Sequence, residues 1–469
     1  MNRTTPEDLL SLFDSAPLNR RYWWSFTLLS AITVLDFFDF FLIAFILAVV
    51  GPQWHLTYGE SALILYGGGV GAILGALLWG SLSDALGRRL QIVTGTFICA
   101  ISAGLIGFLP TGAWVPLALL RILVGFGLAA AVTPALTIVV EFTPTRFRTG
   151  VTSFYVVFAS AGTLLASFTS ATLLSHLGWR GVAMLGIVPA FVGVLVWLYV
   201  PESVRWLTAR RRFAEARKEV AAHLGMPIEA VPLPNTESTQ EAKVRLVDLF
   251  AKPGLFWQTL IIWGGSSIAV YGYYLWGPTI VAQVLRIPVP QAAKYFVYVA
   301  GSAVIGKIIV SLLAPSFGRR WLGVALGLLG ALCLVGAGYF HSMLIGGMPA
   351  LVVLTAAAAF FCEGGFSNLA PYTVEQYGVH LGARSSGLGQ AANGVGKIVG
   401  PLALAMIAGS SNLVSPQSTE AAVFPAFLFL SVAMLLVMLA FLLLGVETHG
   451  KAMALGVGET AMELERAAE

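Results

Sequence analysis

GSLSDALGRR, Gly80 to Arg89, stands at one end of a strongly apolar segment, and its reading decides the fold. Gly80 and Gly87 allow close backbone approach, Asp84 places an anion beside a helix end, and Arg88 and Arg89 stop translocation. A weaker copy, APSFGRR, runs from Ala314 to Arg320. One Gly- and Arg-rich turn at the same place in two hydrophobic halves signals a duplicated membrane protein, the architecture of secondary transporters.

Composition agrees. The chain is 57% hydrophobic and 11% charged, with a mean hydropathy of +0.83, which excludes a soluble globule. About twelve apolar runs are long enough to cross roughly 30 Å of hydrocarbon. They lie near 22–50, 60–83, 89–110, 113–140, 149–176, 180–200, 254–285, 290–314, 319–340, 345–376, 384–409 and 420–446. Most of the 27 Lys and Arg fall in the termini and the even-numbered connections, so both termini are expected in the cytoplasm. The net charge of +4 therefore describes topology and implies no nucleic acid partner. The first run is too long and too rich in acids and aromatics for a cleaved signal peptide.

One long polar connection, 201–253, separates an N-terminal bundle of six spans, 1–200, from a C-terminal bundle and tail, 254–469. It contains the helix-compatible stretch RWLTARRRFAEARKEVAAHL and reads as a solvated tether with surface helices. Further echoes support the duplication. EFTPTRFRTG (Glu141 to Gly150) matches EQYGVHLGARSSG (Glu375 to Gly387), and PESVRWL (Pro201 to Leu207) matches GVETHGK (Gly445 to Lys451).

Charges inside hydrocarbon cost at least ~2.5 kcal/mol each, so each needs a reason. Asp36 and Asp39 lie in span one, Arg121 in span four, Lys307 in span eight, Glu363 in span ten and Lys397 in span eleven. Acids and bases balance, as in an internal polar cavity. Asp36 and Asp39 are three apart and share a helix face. A facing Arg favours an ionised acid and low dielectric a protonated one, so closure of the cavity can flip the balance. Asp36, Asp39 and Glu363 are thus the candidate proton carriers, with Asp39 nearer the depth of Arg121. The competing reading is a static ion pair, and for Glu363 a structural pair with Lys397 or Lys307. All six His fall in loops, tails or span ends, which leaves no mid-membrane imidazole for a metal or a relay. No Walker loop is present, so neither nucleotide nor other cofactor is expected.

In span eleven, GLGQAANGVGKIVGP, Gln390, Asn393 and Lys397 share one face suited to a ligand carboxylate. Span seven reads YGYYLWGP, whose Tyr271, Tyr274 and Trp276 are candidate stacking and hydrogen-bonding contacts for a planar ligand. Lys397 is expected to be the main anion contact, and Arg121 to be coupled to the acids.

The chain resembles the major facilitator superfamily over nearly its whole length, through GSLSDALGRR, RILVGFG (Arg121 to Gly127) and PESVRWL. The nearest branch holds sugar porters, bacterial aromatic-acid and niacin transporters, and animal organic-ion transporters. The resemblance implies an all-α fold of twelve transmembrane helices in two bundles, with spans one, four, seven and ten lining a cavity. It implies a monomer in a bacterial inner membrane, and no enzyme. Anion-carrying members keep basic residues in spans eight and eleven, which Lys307 and Lys397 match. Spans two and eleven slide past each other in that fold, which would set the glycine faces Gly67, Gly71, Gly75 and Gly389, Gly396, Gly400 between them. Asp84 is expected to accept from the N-terminal end of span eleven, with Arg88, Glu141 and Arg148 completing a cytoplasmic gate. Pro315 stands where Asp84 stands in the first copy, and Val446 replaces a proline, so the second half is expected to have lost part of that lock. The function implied is proton-coupled uptake of a small organic anion such as nicotinate or a hydroxybenzoate. The alternatives are a carrier of neutral or cationic solutes, in which Asp36 and Asp39 meet the substrate, or a non-transporting sensor.

Overall fold

The computed structural model describes residues 9, 12–13, 18–232, 249–250, 252–378 and 381–448. It is built almost wholly of helices. In chain order these are α1 (Arg20–Gln53), α2 (Tyr58–Leu86), α3 (Arg88–Leu105), α4 (Trp114–Glu141), α5 (Thr145–Met184) and α6 (Val188–Tyr199). The short α7 (Val204–Ala209) and α8 (Phe213–Leu224) follow. Then come α9 (Pro253–Val284), α10 (Val289–Phe317), α11 (Arg319–Tyr339), α12 (Ala350–Tyr377), α13 (Gly382–Ala408) and α14 (Pro416–Leu443). Among the described residues, ten segments are apolar and long enough to cross a membrane. The longest, Thr145–Tyr199, breaks at Gly178, where φ is 63°, and so supplies spans five and six. The 32-residue α9 completes twelve.

Helix ends agree with the apolar runs to within a few residues, except at span ten. Its expected first residues instead form a hairpin, with Leu344–Ile345 paired to Met348–Pro349. Gly346 and Gly347 have φ of 57° and 82°, the two positive values that a tight primed turn requires. The helix therefore starts at Ala350.

Two compact units result. The first comprises 1–42, 70–166 and 177–241; the second comprises 43–69, 167–176 and 242–469. In the first, Gly71 and Gly75 of α2 seat against Ile122, Phe126 and Ala129 of α4, and Gly127 of α4 seats against Cys99 of α3. In the second, Gly396 and Gly400 of α13 seat against Ser267 and Ile268 of α9, and Gly389 against Trp263. These faces thus bring helices together inside one unit, contrary to the expectation that they lie between spans two and eleven. Small residues let backbones approach wherever a neighbour is fixed, and here the fixed neighbours are α4 and α9. Gly69 is the close exception, its Cβ position 3.0 Å from Lys397 Cβ.

The polar connection is also more than a solvated tether. Its helices α7 and α8 bury Val204, Trp206, Leu207, Ala216, Val220 and Ala221 in one apolar cluster with Leu9, Phe13, Tyr22 and Phe142. Asn19 and Arg21 donate to the carbonyls of His223 and Ala222, satisfying the C-terminal end of α8 with a cation where the helix dipole favours one.

Candidate functional site

The first unit holds Asp36, Asp39 and Arg121, at 0%, 3% and 1% exposure. The apolar sequence around the acids leaves them nowhere to meet water. Arg121 does not form the static ion pair of the competing reading with either acid. Its guanidinium donates to the backbone carbonyls of Asp39 (3.2 Å) and Phe40 (2.8 Å) and lies 5.4 Å from the Phe40 ring centroid. Its charge still acts on Asp39. Among the described residues, none of the four carboxylate oxygens of Asp36 and Asp39 has a hydrogen bond. The reason is geometric. A guanidinium that meets a helix side-on finds carbonyls fixed in place, whereas the Asp39 carboxylate points past it towards Gly186.

Sequence reasoning missed the polar group next to these acids. Thr33, one turn before Asp36, lies 2.5 Å (Oγ1 to Oη) from Tyr155 of α5. Both hydroxyls also reach the Leu29 carbonyl, at 3.1 and 3.2 Å. The spacing of Thr33 to Asp36 was the available signal; the partner helix was not.

The second unit holds the remaining charges. Lys307 of α10 and Glu363 of α12 form a buried ion pair at 2.7 Å. The pair engages Lys307, an expected anion contact. Lys397 of α13 lies with its Nζ 5.1 Å from the Tyr271 ring centroid. On the same face Ser267 donates to Asn393 Oδ1 at 2.7 Å, and Asn393 Nδ2 donates to Gln390 Oε1 at 3.1 Å. Gln390 and Asn393 are thus linked in a polar track, with Ser267 of α9 as a member not foreseen, and Lys397 follows them on the same helix. Tyr274 stacks against Tyr273 at 4.7 Å. Trp276 gives its indole N–H to the Pro401 carbonyl at 2.9 Å, so its polar atom fastens α9 to α13.

The Gly-Arg turns carry one device twice. Gly87 and Gly318 have φ of 90° and 77°, and a Cβ there would come within 2.5 Å of Glu202 Oε2 or 2.7 Å of Glu447 Oε2. Glu202 Oε1 accepts from the backbone N–H of Arg88 (2.8 Å) and Arg89 (3.1 Å), and Glu447 Oε1 from that of Arg319 (3.1 Å). Each glutamate thus caps the N-terminus of α3 or α11 with an anion. The next residue donates to a second acid: Ser203 Oγ to Glu141 (2.7 Å) and Thr448 Oγ1 to Glu375 (2.6 Å). Arg319 adds an ion pair to Glu375 at 2.7 Å. The second half has kept this cluster, because its acceptors are Glu447 and Glu375 and depend on neither Pro315 nor Val446. Of the expected gate, Arg88 and Glu141 share one cluster through Glu202 and Ser203, while Arg148 donates to the Thr143 carbonyl at 3.3 Å. The Asp84 side chain lies outside the described residues.

Comparison with known proteins places this geometry. The chain is 26% identical to a niacin transporter of Acinetobacter baylyi over 95% of its own length and 98% of the relative's. It is 28% identical to a gallate transporter of Pseudomonas putida, over 77% of this chain and 79% of that one. In fold it is similar to the xylose transporter XylE from E. coli in a partially occluded inward-open conformation, with a TM-score of 0.70 at 18% identity, covering 92% of this chain and 100% of that one. The Major Facilitator Superfamily profile matches residues 29–401, and this twelve-span chain with its doubled Gly-Arg turn belongs to that superfamily of membrane transporters.

Proposed function

We propose that the protein imports a small organic anion with a proton by alternating access, and that the anion is an aromatic carboxylate such as nicotinate or a hydroxybenzoate. The observation that carries this reading is Lys397 stacked on Tyr271 at the head of the Ser267–Asn393–Gln390 track. A cation, an aromatic face and amide groups in one row match a planar carboxylate. Lys307 is engaged by Glu363, and in this reading that pair is structural. The niacin and gallate carriers among the relatives agree with this chemistry. A neutral or cationic substrate touching Asp36 and Asp39 is disfavoured by their near-zero exposure.

Coupling falls to those two acids. Burial without partners makes an ionised carboxylate costly, and a bound proton removes that cost. In this reading both termini face the cytoplasm of a bacterial cell, and the two six-span repeats, 1–200 and 254–469, rock against each other in a monomer. Asp84, Arg88, Glu141 and Arg148 act at the cytoplasmic gate. A thermal-shift screen of the purified protein tests the reading. Nicotinate and hydroxybenzoates should raise the melting temperature while their amides, simple amines and sugars do not. Stabilisation by sugars or amines alone would overturn it.

A further inference from the structure

Thr33 and Tyr155 are buried, at 2% exposure each, in a helix contact that apolar residues would fill as well. Their hydroxyls sit 2.5 Å apart and share the Leu29 carbonyl. Phe26 and Phe158 pack on the Tyr155 ring at 6.3 Å each, so the ring is held without help from its hydroxyl. Asp36 follows Thr33 by one turn and lies close enough to act electrostatically on Tyr155. Its two oxygens are buried with no hydrogen bond from the described residues. The other ionisable groups near Asp36 are Asp39, Arg121 and Cys99. Arg121 is occupied by carbonyls. Thr33 and Tyr155 therefore stand on the N-terminal side of an acid that has no hydrogen bond from the described residues.

We propose that Thr33 and Tyr155 form a hydroxyl relay that carries the proton from Asp36 towards the cytoplasmic end of the first unit. The inference rests on the coupling role proposed for Asp36 and Asp39. The Asp36 carboxyl, which has no direct hydrogen bond to Thr33, reaches it through one water. It gives its proton to Thr33 Oγ1 as Thr33 gives its own to Tyr155 Oη, and Tyr155 gives its own to a water admitted when the inner half opens. At each hydroxyl one O–H bond breaks and one forms. The products are an Asp36 carboxylate and a hydronium ion, and rotation of the two hydroxyls resets the chain. Between cycles one hydroxyl hydrogen rests on the Leu29 carbonyl while the other spans the 2.5 Å contact between the two hydroxyls.

A relay sets the rate of proton release and leaves the stoichiometry alone, which separates it from the coupling acid. The test uses the full-length protein in liposomes with labelled nicotinate and a pH gradient, comparing Tyr155→Phe, Thr33→Val, Thr33→Ser, Asp36→Asn and Asp39→Asn. Tyr155→Phe and Thr33→Val should slow gradient-driven uptake by at least about tenfold, given what a positioned proton-transfer group contributes. They should reach the wild-type final accumulation and keep wild-type counterflow, which needs no proton release. Thr33→Ser should restore the rate. Wild-type net rates in both hydroxyl variants, or counterflow slowed as much as net uptake, would overturn the relay. Full accumulation in both Asn variants would instead overturn the coupling role, independently of the hydroxyl results.

Discussion

Single residues decide what the proposed site can bind. Lys397 is the cation in contact with an aromatic face, and losing a charge-assisted hydrogen bond costs ~1.5–3 kcal/mol, or roughly ten- to a hundredfold in affinity. Lys397→Ala should weaken binding of nicotinate by that much and leave nicotinamide nearly unaffected, as measured by calorimetry. Equal losses for both ligands would make Lys397 structural. Lys307 should behave differently. Removing one partner of a buried ion pair strands the other, at a cost of about 3–5 kcal/mol, whereas removing both is far milder. Lys307→Gln should therefore lower thermal stability sharply, and Lys307→Gln with Glu363→Gln should recover most of it. If the double variant is no better than the single, the pair at 2.7 Å is not what holds α10 to α12. The sequence made every one of these charges visible, because hydrocarbon leaves a charge no other background. It did not reveal their partners, since Lys307 and Lys397 have equal claims on Glu363 until the helices are placed.

At the scale of elements, the loop echoes carried more than they first revealed. PESVRWL and GVETHGK each contribute a glutamate that caps a helix across the positive-φ glycine and a hydroxyl that reaches a second acid. The repeat was legible because the glutamates are in register; the contacts were not, because they close between ends of chain far apart in sequence. The docking of α8 was illegible for the same reason, since an amphipathic helix names no partner. Its last turn gives a pH signature. Burial among Phe13, Tyr22 and Phe142, with Arg21 nearby, pushes the His223 imidazole down to about 4. An imidazole depressed in the folded state favours docking fully above its ordinary value of about 6.5, and that contribution is lost as pH falls towards 4. Up to about 3 kcal/mol is at stake. Amide exchange in α8 should quicken between pH 6.5 and 4, after correction for intrinsic rates, and His223→Phe should remove that dependence. An unchanged slope in the variant would place the titrating group elsewhere.

For the whole molecule, the twelve spans were readable because length and apolarity are set by the bilayer itself. The glycine faces were not, because small residues say that something packs closely without saying what. Transport is the property that belongs to no single helix, and its energetics follow from how many acids titrate. If Asp39 alone cycles, with Asp36 passing the proton on, one proton accompanies one monoanion and no net charge crosses. A difference of one pH unit is then worth about 1.4 kcal/mol, or about tenfold accumulation. In liposomes, a gradient of that size with the outside acid should concentrate nicotinate roughly tenfold, and a potassium–valinomycin potential without a pH difference should concentrate it hardly at all. Asp39→Asn should let nicotinate equilibrate without accumulating, while labelled counterflow persists because exchange needs no net protonation. Accumulation driven by the potential would mean that a second proton or a different charge crosses with each anion. Accumulation surviving in Asp39→Asn would move the carrier to Asp36, whose buried oxygens likewise have no hydrogen bond among the described residues.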